Sequence, residues 1–272
     1  VILLDGAKNK YKVGDNISES DIESYFVWIP KYAYKIQSLG TNETNQPFEI
    51  RFGTTNTTNS SSECVAPNVS GENGSCGVGK YMTHPAFTSF GDIKGLWVGK
   101  FETGYKGSTD TASAQKNENN PTKVQIKPNV NSWRYITASN MFKTSYNYKR
   151  NLDSHMMKNT EWGAVAYLTH SIYGKCNGTT CEEVYINNNR NYLTGWSGTS
   201  VSASYSSSSG YAYSHTDSVK ASSTGNYSGI YDLSGGAFDR VAGVRGSLTS
   251  SSDAGFTSSD ISTYNKKYYD TY

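Results

Sequence analysis

The side chains best suited to covalent or metal chemistry are the four cysteines and four histidines. Cys64 and Cys76 stand twelve apart in a polar stretch, and Cys176 and Cys181 bracket Asn177-Gly178-Thr179-Thr180. Neither pair has the Cys-x-x-Cys spacing that lets neighbouring thiolates share a tetrahedral zinc, and the histidines are scattered. The spacing therefore predicts no metal site and two local disulfides, Cys64–Cys76 and Cys176–Cys181. Each would clamp a loop and contribute about 2–3 kcal/mol. Such bridges imply an oxidising compartment outside the cytosol. His155 and His170 flank a helical run, but catalysis would need a nucleophile and an orienting carboxylate within reach, and the sequence selects neither.

Recognition chemistry is better represented. Tyr192, Trp196, Tyr205, Tyr211 and Tyr213 stand in Gly- and Ser-rich surroundings with no core periodicity, and Tyr264, Tyr268, Tyr269 and Tyr272 crowd the C-terminal end. Tyr offers rigid amphipathic area, and Ser and Gly offer adaptable hydrogen bonding, which is the composition of a paratope. We expect residues 192–213, with Tyr264 and Tyr268 of the Tyr-rich end, to contact a partner. Trp28, Trp97, Trp133 and Trp162 lie in periodic elements and are expected in the core.

These residues need a scaffold. Apolar residues make up 35% of the 272, low for a compact domain, yet aromatics reach 13%, too many for a disordered chain. A core with long polar loops is implied. The net charge of +2 leaves no basic stripe for nucleic acid. No apolar run approaches the ~20 residues that span a bilayer, so no membrane contact is expected within the chain. Eight Asn-x-Ser/Thr sites, among them Asn56, Asn68, Asn177 and Asn226, mark exposed polar loops.

Residues 1–25 read as a polar lead-in with a short helix over 19–24. Alternation predicts strands at 26–36, around Phe48, Ile50 and Phe52, and at 95–103, 182–187 and 229–233. Residues 38–80 otherwise form an insertion loop. Helical spacing predicts one helix over 130–144, carrying Val130, Trp133, Ile136 and Met141. A second is predicted over 157–168, carrying Met157, Trp162, Val165 and Leu168.

Five segments then share an order with a known family. FVWIPKYAY from Phe26, LWVGKFET from Leu96, PNVNSWRYI from Pro128, NTEWGAVAYL from Asn159 and STGNYSGIYDLSGGAFD from Ser223 resemble the formylglycine-generating-enzyme/sulfatase-modifying-factor family. Lys31 and Tyr32 replace its Gly pair, Gly236 its Asn and Phe238 its Trp. The resemblance implies an α+β fold of the C-type-lectin-like class, over 26–272, with two helices, short twisted antiparallel strands and long loops. The family's last block, with its catalytic cysteine pair, has no counterpart, which implies a domain cut short at its C-terminus and no enzymatic activity. Glu102 and Asp232 fall at family positions whose carboxylates order loops rather than cleave glycosides.

The wording is similar to bacterial surface proteins of Firmicutes type, some following a pilin-like helix, and to domains diversified by retroelements. The resemblance thus implies an extracellular adhesin or receptor-binding domain at the cell surface, recognising a glycan or protein of a host or another cell. The alternatives are a pilin-like filament subunit that contacts its own copies, an oxidase or a glycosidase. No cofactor is expected. The calcium-dependent sugar motifs of C-type lectins are missing, although a structural calcium held by backbone carbonyls would leave no motif.

Overall fold

The structure, a computed structural model, describes residues 2–4, 6, 10–37, 46–56, 60–65, 76–89, 91–204, 209–244 and 261–272. It is a mixed α+β protein of small sheets and long loops, and among the described residues two α-helices are complete, with Ile261 and Ser262 also helical. In chain order come β1 (Ile2–Leu4), β2 (Ile22–Pro30), β3 (Tyr32–Lys35), β4 (Ile50–Phe52), β5 (Glu63–Cys64), β6 (Tyr81–Thr83) and β7 (Gly95–Gly99). Then follow β8 (Gly104–Tyr105), β9 (Val124–Gln125), α1 (Ala138–Tyr148) and α2 (Asn159–Thr169). The remainder are two-residue strands: β10 (Cys176–Asn177), β11 (Thr180–Cys181), β12 (Ser197–Gly198), β13 (Gly210–Tyr211), β14 (Gly243–Val244) and β15 (Asp270–Thr271).

Two sheets dominate. One has the order β1-β2-β7 and the other β4-β3-β6-β5. Pro30 and Lys31 divide the aromatic run between them. The lead-in belongs to the first sheet, because Ile2 to Leu4 pair antiparallel with Tyr25 to Ile22. The helix expected over 19–24 is a single 3-10 turn at Glu19–Asp21, after which the chain extends. Val27, Ile29, Leu96 and Val98 pack inward with Tyr32, Phe87, Val165 and Ile230.

The second helix forms close to the expected bounds. Glu161 reaches back to accept the Lys158 backbone N–H at 2.8 Å. Asp270, on β15, accepts from the Thr160 N–H at 2.7 Å, so two of the otherwise unpaired donors of the first turn are satisfied. The first helix begins later than expected, at an N-cap formed by Thr137, whose hydroxyl accepts from Asn140. The segment before it is a loop with left-handed residues at Asn129 and Tyr135. Trp133 is nonetheless buried, edge-on to Tyr105 at 5.0 Å, with its indole N–H donated to the Lys116 carbonyl at 2.6 Å.

Residues 182–187 and 229–233 are not strands. Their amides bond one at a time to different loops: Tyr185 to Lys220, Tyr231 to Lys100. Burial does not alternate there: Ile230, Tyr231 and Asp232 are buried in succession, and within 182–187 only Asn187 is buried. Both expected disulfides are formed, Cys64–Cys76 and Cys176–Cys181. No helix among the described residues is long and apolar enough to cross a membrane.

Candidate ligand-binding cleft

In a strand, successive side chains face opposite sides. Along β2, Val27 and Ile29 take the core side, so Trp28 must face away. Along β7, Leu96 and Val98 do the same to Trp97. The antiparallel register sets Trp28 directly opposite Trp97. Among the described residues, no element packs over that face to bury the two rings. Trp28 is 40% exposed and Trp97 51%, which corrects their expected place in the core. Their rings lie 5.0 Å apart, tilted by 54°. Gly95 permits this: a Cβ there would stand 2.4 Å from the Trp28 ring and 2.5 Å from the Ile29 carbonyl.

The pair borders a cleft of about 380 Å³ that also involves Ile2, Phe26, Lys100 and Ser228. Lys100 follows β7 directly. Its N–H bonds to the Tyr25 carbonyl at 3.0 Å and its carbonyl accepts from Tyr231 at 2.9 Å, so its backbone is fixed on both sides. The ammonium donates to the Tyr213 hydroxyl at 3.0 Å and to the Tyr227 carbonyl. It also lies 5.4 Å from the Tyr213 ring centre and 5.7 Å from that of Phe101. Burial pushes its pKa down, because a partly desolvated ammonium is harder to keep charged.

The residues expected to bind a partner do not form one surface. Tyr213 is the member that reaches the cleft, through Lys100. It is half-buried against Phe101 at 5.0 Å and Tyr231 at 5.2 Å. Tyr211 stacks on His215 at 4.6 Å. Trp196 is half-buried: its indole N–H bonds to the Asn188 side chain at 3.2 Å and its ring covers Gly210, pinning β12 to β13. Tyr192 has a left-handed backbone and lies beneath the Arg134 guanidinium at 4.1 Å. Tyr205 and the Asn68 site lie outside the described residues.

Tyr264 and Tyr268 belong to a separate cluster with Phe142 and Tyr146. Tyr268 is 2% exposed, its hydroxyl held between Arg150 and Asp153, and so cannot form part of an exposed contact surface. Its core place is a correction: Ser- and Tyr-rich composition signals low hydropathy, and a buried Tyr with both ends satisfied escapes that signal.

Glu102 and Asp232 lie close together. Asp232 is buried and accepts from the Gly195 N–H at 2.9 Å, the Asn187 amide at 2.8 Å and the Glu102 N–H at 3.2 Å. Glu102 keeps some residue surface, but its carboxyl turns inward to accept from Ser132 at 2.6 Å and Ala237 at 3.2 Å. Burial and the neighbouring Asp232 push Glu102 up to about 8, and burial pushes Asp232 up to about 6. These bonds tie together the loops that carry Ser132, Asn187 and Ala237. Among the described residues, the one group close enough to share a cation is His170 with Cys176 and Cys181. Both sulfurs there are in a disulfide and offer no thiolate.

A second cleft, of about 410 Å³, lies between α2 and the loop after Asp232, with Trp162, Leu233 and Phe238 among its lining. Trp162 is only half-buried there, not the enclosed anchor expected of it. No family model matches the chain, and no curated protein matches it.

Proposed function

We propose that this chain is a non-catalytic, extracellular ligand-binding domain of C-type-lectin-like architecture, displayed at a bacterial surface, and that the Trp28–Trp97 cleft is its glycan-binding face. The observation that carries the reading is the exposed tryptophan pair. Leaving two large apolar rings in water side by side forgoes burial that a fold would otherwise use, at about 25 cal/mol per Å². An exposed aromatic patch of this kind marks a place of contact. A sugar ring presents one face of C–H groups, which packs on an indole while the hydroxyls at its edge stay free for hydrogen bonds. Lys100 and Ser228 supply polar groups beside the platform, the usual mix of apolar floor and few polar contacts. The two disulfides and the family resemblance support extracellular display.

The test is binding to a panel of immobilised and soluble oligosaccharides, followed by indole fluorescence. Trp97→Ala should weaken binding by about 2 kcal/mol, the loss typical of a central aromatic. Because Trp97 is half exposed, the melting temperature should stay within a few degrees of the parent. Saccharide binding that is indifferent to Trp97→Ala and Trp28→Ala, or no saccharide binding at all, would remove the cleft from the reading.

A further inference from the structure

Lys100 differs from four other lysines that are withdrawn from solvent, each of which has a carboxylate beside it. Lys31 lies 2.9 Å from Asp92, Lys149 2.7 Å from Glu23, Lys158 4.0 Å from Glu161 and Lys175 3.5 Å from Glu182. The Lys100 ammonium, among the described residues, has no carboxylate within such a distance. Its two acceptors, the Tyr213 hydroxyl and the Tyr227 carbonyl, are neutral. An ammonium has three N–H donors, so one remains uncommitted. The Phe101 and Tyr213 rings offset part of the lost hydration, but ring quadrupoles do not neutralise a charge. A half-buried cation without a counter-charge is unfavourable in the empty protein and becomes favourable when an anion arrives.

Lys100 lines the same cleft as the tryptophan pair, together with Tyr25 and Val27 from the inner side of β2. From that juxtaposition we infer that the cleft selects an acidic saccharide, a pyranose carrying a carboxylate, with the sugar ring on Trp28 and Trp97 and the carboxylate on Lys100. The inference rests on the glycan-binding reading and narrows it. A neutral sugar would leave the Lys100 charge as it is, whereas a carboxylate completes a charge-assisted hydrogen bond, about twice as strong as one between neutral groups. The source could be a sialic acid or a uronic acid, since both offer a ring and a carboxylate.

The experiment is calorimetric titration of the whole chain with sialyllactose against lactose, and with tri-galacturonate against its methyl ester. The two acids separate the sources, and the methyl ester removes charge while keeping the rings. The acidic member of at least one pair should bind more tightly by roughly tenfold or more. That preference should shrink as salt rises from about 50 mM to about 500 mM. In Lys100→Gln, which keeps a donor and loses the charge, acid and neutral forms should bind alike, with residual stacking affinity. Equal binding of acid and neutral forms by the parent chain, still lost in Trp97→Ala, overturns the inference and leaves the glycan reading standing. A preference that survives in Lys100→Gln overturns the role given to Lys100. Failure of every saccharide overturns both. Should Lys100→Gln not fold, the methyl-ester and salt comparisons decide the charge preference on the parent chain alone, and Lys100→Arg, which keeps the charge, should retain it.

Discussion

Replacing Glu102 with Gln should stabilise the protein at neutral and alkaline pH and change little in acid. The enclosed carboxyl accepts from Ser132 and Ala237 through one oxygen, and both bonds can be made by a Gln carbonyl. Burial, with Asp232 second, holds Glu102 up at about 8, against an ordinary 4.5. Between those values the folded state keeps a proton that the unfolded chain has released. Stability therefore falls as pH rises through the window, by at most ~1.4 kcal/mol per pH unit. From about pH 5 to about pH 7.5 the ceiling is ~3 kcal/mol, a large part of the ~5–15 kcal/mol that holds a domain together.

Urea denaturation of both proteins across that range would measure it. Two histidines also titrate there. Burial pushes His84 down to about 3, so its neutral, buried form loses stability as pH falls below its ordinary 6.5. His155 is raised by Glu161 despite its burial, and the stability it contributes is lost as pH rises through its folded pKa. Asp232, held up at about 6 by burial, loses stability with rising pH as Glu102 does. The parent-minus-variant difference removes the histidine contributions. That difference should grow with pH. Two parallel curves with a constant offset would refute the argument, because they would show Glu102 ionising at its ordinary value in the folded protein.

Two further outcomes follow from burial and covalent structure. Trp133→Ala should cost about 3–5 kcal/mol, whereas Trp162→Ala, at a half-buried site beside the second cleft, should cost less than half as much; equal losses in thermal or urea melts would contradict their placement. Thiol titration of the native protein should find no free cysteine, and reduction of both bridges should lower stability by about 2–3 kcal/mol each; four alkylatable thiols before reduction would exclude the bridges.

Local pattern carried as much of the fold as local physics determines. β2 and β7 were legible because their apolar residues alternate toward one core, and α2 because its run of good helix formers follows Glu161, which closes its first turn. The pairs Cys64–Cys76 and Cys176–Cys181 were legible because each closes a short loop. The segment from Pro128 to Ile136 was misread because Val130, Trp133 and Ile136 happen to recur near a helical period. The deciding residues are Asn129 and Tyr135, whose left-handed backbone no helix accepts. The runs at 182–187 and 229–233 show a different limit. Their residue types suit strands, but burial does not alternate along them and the amides find separate loop acceptors instead of one neighbouring strand.

The site shows where sequence stops informing. Alternation fixes that Trp28 and Trp97 point away from Val27, Ile29, Leu96 and Val98. Whether that outer face is covered depends on elements far along the chain, and no local pattern encodes their absence from it. Apolar rings on strands were for that reason expected in the core, while the tyrosines of a polar tail were expected outside. Tyr268 reverses the second expectation through Arg150 and Asp153, partners more than a hundred residues away. Lys100 was silent for the same reason. Its chemical interest is that, among the described residues, no carboxylate pairs with a half-buried charge, a property of the assembled neighbourhood and not of any spacing. A binding face of this kind is thus built from what long-range packing leaves open: two exposed rings set opposite each other by the register of β2 on β7, and, among the described residues, one half-buried cation with no carboxylate beside it.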